Sequence, residues 1–74
     1  MARRNDQGET FGAWLLAQKD REGLVGNLVK AARGDRGFPR DGDPDTVRAR
    51  LNADGADAEM FEAVDDAEMD WMSY

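Results

Sequence analysis

The stretch Gly34-Asp35-Arg36-Gly37-Phe38-Pro39-Arg40 limits what this chain can become. It sets one large apolar residue, Phe38, among turn formers and charges, midway along the sequence. Gly34 and Gly37 tolerate positive φ, and Pro39 fixes its own φ and pushes Phe38 toward extended geometry. A helix cannot run through such a segment, so the chain must turn back here. The expected result is a loop that drops one aromatic ring into a small core, among Trp14, Leu28 and either Val64 or an aromatic of the last helix. Pro39 is assigned to the same core.

The flanking sequence has helical periodicity. Thr10 is a candidate N-cap, and Phe11, Trp14, Leu15 and Gln18 follow at helical spacing. In the second helix Leu24, Val25, Leu28, Val29, Ala31 and Ala32 share one arc, opposite Asn27, Lys30 and Arg33. Gly34 stands where a helix C′ glycine belongs. Asp43 followed by Pro44 is a strong start signal for a third helix, whose apolar stripe is only Val47 and Leu51. Asp57 opens a fourth, with Met60, Val64, Ala67 and Trp71 on one face, widened by Phe61 and Met72. Glu68 falls inside that arc, so it must either rotate out or be answered by a basic side chain from the loop. The expected helices span about residues 11–19, 24–33, 44–53 and 58–72, with no strand. The fold class is all-α, a compact four-helix domain over residues 10–74 after a flexible N-terminus, 1–9. Its core is expected from Phe11, Trp14, Leu15, Val25, Leu28, Phe38, Pro39, Val47, Leu51, Phe61, Val64 and Trp71.

Composition narrows the chemistry. The 74 residues are 41% apolar, but 11 of them are Ala, which leaves material for one thin core. The sequence contains no Cys and no His, the commonest thiolate and imidazole sources for catalysis or zinc binding. Asp41, Asp43 and Asp45 alternate as in a calcium loop, but Thr46 stands at the position needing Gly and Asn52 at that of the bidentate Glu. Helix capping explains the same residues. No catalytic, cofactor-binding or metal-ligating residue is expected, and no enzymatic activity. No apolar run suits a membrane span or a signal peptide, so the expected location is cytoplasmic.

Charge is unevenly distributed: residues 1–18 are neutral, 19–50 carry a net +2 and 51–74 a net −8. The acidic last helix, exposed Met69 and the Trp71-Met72-Ser73-Tyr74 end mark a candidate protein-binding face of Glu62, Asp65, Asp66, Met69, Asp70 and Tyr74. Its partner would be a protein with a basic surface. The alternative is nucleic-acid binding through Arg21, Lys30, Arg33, Arg36 and Arg40. Gly23 and Gly26 at the start of helix two loosely match the glycine pair of helix-hairpin-helix DNA binders, with a spacing of three in place of two. A sequence pI near 4.4 opposes a basic footprint. A third reading is an acidic mimic of nucleic acid.

Four stretches carry a family resemblance: Phe11-Gly12-Ala13-Trp14-Leu15 with Gln18-Lys19-Asp20, Val25-Gly26-Asn27-Leu28, the Gly34–Arg40 loop, and Val64-Asp65-Asp66-Ala67 with Trp71. Together they resemble the YozE-like family of small bacterial proteins. The chain departs from the pattern at Glu68, where an aromatic is expected, and at Val64, where a Phe is. The resemblance implies a sterile-alpha-motif-like helical fold and implies no activity.

Overall fold

The computed structural model describes residues 4–73. Four helices follow in order: α1 (Phe11–Ala17), α2 (Gly23–Gly34), α3 (Pro44–Ala53) and α4 (Ala58–Met72). Three begin as their caps dictate. The Thr10 hydroxyl accepts from the Ala13 N–H, and the Asp43 and Asp57 carboxylates accept from the N–H groups of Thr46 and Met60. Pro44 occupies the first turn of α3, where it forfeits no intrahelical bond. The start of α2 lacks a side-chain cap. α1 ends two residues before the expected boundary because Gln18 is extended and Asp20 takes a left-handed φ of 58°.

Gly34 and Gly37 serve otherwise than expected. Neither adopts positive φ; that conformation belongs to Gly8, Gly23 and Gly55. Gly34 is the last residue of α2 rather than its C′ glycine, and Asp35 is the cap. Gly37 provides room, since a Cβ there would lie 2.8 Å from the Arg50 guanidinium carbon. Two helical glycines also admit backbone. A Cβ on Gly12 would lie 2.8 Å from the Arg40 carbonyl oxygen, and one on Gly26 2.9 Å from the Arg21 carbonyl carbon. The Gly12 N–H donates to the Gly42 carbonyl at 2.9 Å, which fastens α1 to the loop before α3.

α4 packs against all three other helices, most extensively against α2. The backbones of α2 and α3 do not approach each other closely. Phe38 sits at that seam: it is 7% exposed and borders a cavity of about 60 Å3 together with Leu28, Ala31 and Ala32 of α2 and Leu51 of α3. The aromatic cluster centres on Phe11 of α1, which stacks on Trp14 and meets Trp71 edge-on, with ring centroids 6.1 and 5.6 Å apart. The radius of gyration, 11.0 Å, is that of a folded chain of this length.

Ten of the twelve expected core residues are buried. Pro39 and Phe61 are only half-buried. Ala63 and Ala67 are fully buried in α4, while Met60 and Phe61 flank the core and Met72 faces solvent. A small rotation of α4 about its axis, relative to the expected face, produces this pattern. Residues 4–9, expected as a frayed end, form a turn in which the Asn5 carboxamide oxygen accepts from the N–H groups of Gln7 and Glu9.

Candidate interaction surface

The helical period places Glu59, Glu62, Asp66 and Met69 in one stripe along α4, at spacings of three and four residues. All four are exposed, Met69 to 64%. Met72, 59% exposed, lies beside the stripe at its C-terminal end. The side chains of Glu59, Glu62 and Asp66 have no hydrogen bond or ion pair among the described residues. They form an acidic strip that ends in two flexible, polarisable thioethers.

The remaining acids of α4 are engaged. Arg48, on α3, donates through Nη2 to Asp65 and to Glu68, each at 2.7 Å, and through Nη1 to Asp45 at 3.0 Å. Partial burial opposes the charge on Arg48, but its bonds to Glu68 and then Asp65 outweigh that and raise its pKa. Glu68, its side chain 23% exposed, is therefore answered from α3 and not from the loop as expected. Asp70 pairs with Arg21, which also donates to the Gln18 side chain. Of the residues assigned to the face by sequence, Glu62, Asp66 and Met69 lie together on it. Asp65 and Asp70 flank it inside ion pairs, and Tyr74 lies outside the described residues. Glu59 and Met72 were not among the residues assigned to the face, although Met72 lies in the C-terminal stretch that marked it and the 59-62-66-69 spacing contained the signal for Glu59.

Two of the five basic candidates are engaged in contacts inside the molecule. Arg21 is held by Asp70. Arg33 donates to the carbonyl oxygens of Leu16 and Gln18, at 3.0 and 2.6 Å through Nη2, and so closes the C-terminal end of α1. Lys30, Arg36 and Arg40 are exposed. Gly26 is explained by the Arg21 carbonyl packed against it, a purely internal contact.

Asp35 and Arg50 form the electrostatic clamp of the central loop. Arg50 Nε donates to Asp35 Oδ2 at 2.9 Å and Nη2 to Oδ1 at 2.7 Å, a two-pronged pair. Asp35 Oδ1 also accepts from the Gly37 N–H at 2.9 Å. The Arg50 bonds first, then the Gly37 N–H, hold the Asp35 carboxyl at about 2, against the opposing effect of desolvation. The cavity beside this clamp, about 60 Å3, is far below the roughly 300–1,000 Å3 of small-molecule sites.

No protein-family model, curated protein or solved structure matches the chain. Among the described residues, no helix is long and apolar enough to cross a membrane.

Proposed function

We propose that this chain is a non-enzymatic interaction module that presents the outer face of α4 to a protein with a basic surface. The observation that carries the reading is the acidic strip Glu59-Glu62-Asp66 ending in the exposed Met69 and Met72. Large apolar side chains left in water beside unpaired charge fit a contact that buries the thioethers and neutralises the carboxylates. Met adapts its shape to its partner, and the charge would steer the encounter. The small cavity and the solvent-facing carboxylates support a binding role over a catalytic one. The resemblance of the Gly34–Arg40 loop to YozE-like proteins belongs to the proposal, as does a cytoplasmic location.

The nucleic-acid reading has less support. Arg21 and Arg33 are committed to contacts inside the molecule, and the exposed cations that remain are few.

The test is a pull-down from lysate with wild type and a Glu62→Lys/Asp66→Lys/Met69→Ser variant, beside a titration into labelled duplex DNA at low and high salt. A partner retained by wild type and lost by the variant supports the reading. Equal retention by both, or DNA binding that weakens steeply with salt, contradicts it.

A further inference from the structure

Among the described residues, the end of α4 is closed locally by Ser73 alone, whose N–H donates to the Asp70 carbonyl at 3.1 Å and whose hydroxyl donates to the Met69 carbonyl at 2.9 Å. No basic residue sits in its last turn, and the negative charge of Asp70 there is answered from outside the helix, by Arg21. Ser73 follows in right-handed helical geometry, not as a left-handed C-cap. Two further contacts come from the opposite end of the sequence. Asn5 Nδ2 donates to the Trp71 carbonyl oxygen at 3.2 Å, and the Trp71 indole Nε1 donates to the Glu9 carbonyl oxygen at 2.9 Å. The turn that presents these groups is itself braced. The Asn5 N–H donates to the Glu9 carbonyl at 3.0 Å, the Gly8 N–H to Asn5 at 2.9 Å, and Arg4 Nη1 to the Gly8 carbonyl at 2.7 Å. Arg4 and Thr10 form an isolated antiparallel bridge at its base. One side chain thus does two things: the Asn5 oxygen shapes the turn, and the Asn5 nitrogen holds the helix end.

We propose that residues 4–10 are a conformational latch on α4. Closed, the latch orders the last turn of α4 and fixes where Met69 and Met72 stand. Open, it leaves the buried indole N–H and the Trp71 carbonyl without these partners, and the last turn frays while the rest of the core persists. A modification or a binding event at the N-terminal segment would then be transmitted to the α4 face. That consequence rests on the proposed role of the face; the latch does not.

The test is residue-resolved amide hydrogen exchange on the full chain, for wild type, Asn5→Asp and Asn5→Ala. Asn5→Asp keeps the oxygen that shapes the turn and loses the donor to Trp71. The expected result is a loss of protection by about three- to tenfold at residues 70–73, the size of one hydrogen bond, with Leu28 and Val64 unchanged. Unchanged protection at residues 70–73, or an equal loss in every helix, overturns the latch. Wild type supplies a reading that no folding defect can obscure. The Trp71 indole N–H should exchange faster than the Leu28 amide; exchange of both only through global unfolding also overturns it. Because no partner enters the measurement, its failure leaves the α4 reading standing, and the reverse also holds.

Discussion

Asp35 shows how one carboxylate can carry a loop. It caps α2 through its backbone, accepts the Gly37 N–H, and grips Arg50 with both oxygens. Its folded pKa is depressed to about 2 from an ordinary value of 3.8, so its contribution is present above the ordinary value and is lost as pH falls toward about 2. Asp35→Asn should therefore melt below wild type at pH 7, and the gap in Tm should close between about pH 4 and pH 2. A gap independent of pH would show that the ion pair is not its source. Phe38, in the same loop, is the wedge between α2 and α3. Phe38→Ala should cost about 3–5 kcal/mol, a large share of the roughly 5 kcal/mol a domain this small holds. Thermal melts followed by circular dichroism read it, and an unchanged midpoint would contradict the wedge. Arg48 offers a third check at this scale. Arg48→Met leaves the half-buried Glu68 without that donor and should lower stability by about 1 kcal/mol in urea denaturation, more at low than at high salt.

Two glycines at the element scale should respond in opposite directions to one added methyl group. Gly12 faces the backbone of Pro39 and Arg40, which cannot yield cheaply, so Gly12→Ala should cost about 1–3 kcal/mol. Gly34 ends α2 in open space without positive φ, so Gly34→Ala should gain about 0.5–1 kcal/mol. Paired denaturant titrations decide both, and a destabilising Gly34→Ala would show that the residue needs the freedom of a C′ glycine after all. The sequence read as a C-cap what the structure uses as an ordinary helical position, because a glycine after a periodic run looks the same in both cases. Caps and apolar spacing made the four helices legible to within two residues at every end. The rotation of α4 was not legible. Alanine has no large side chain to announce burial, so Ala63 went unnoticed while Phe61 was assigned to the core. Nor was the source of the cation facing Glu68 legible, since the Arg48 contact spans twenty residues of sequence and depends on how α3 meets α4.

Across the whole molecule, charge is sorted by position and by use. Arg21 and Arg48 each cross to α4 and take up acids on its flanks, while Arg33 and Arg50 are committed to α1 and the central loop. What remains on the outside of α4 is an acidic strip with two methionines, and the candidate site was legible in outline because composition alone put a net −8 into residues 51–74. Which of those acids stay unpaired depended on tertiary contacts that no local pattern encodes. The outer strip of α4 is the proposed contact surface. Site-specific photo-crosslinking tests it most directly, with a photoreactive phenylalanine analogue placed in turn at Glu62, Met69, Lys30 and Arg36 of the full chain in living cells. A discrete protein adduct is expected from Glu62 and Met69 and none from Lys30 or Arg36. Adducts from Lys30 and Arg36 alone, or crosslinks to nucleic acid, would contradict it.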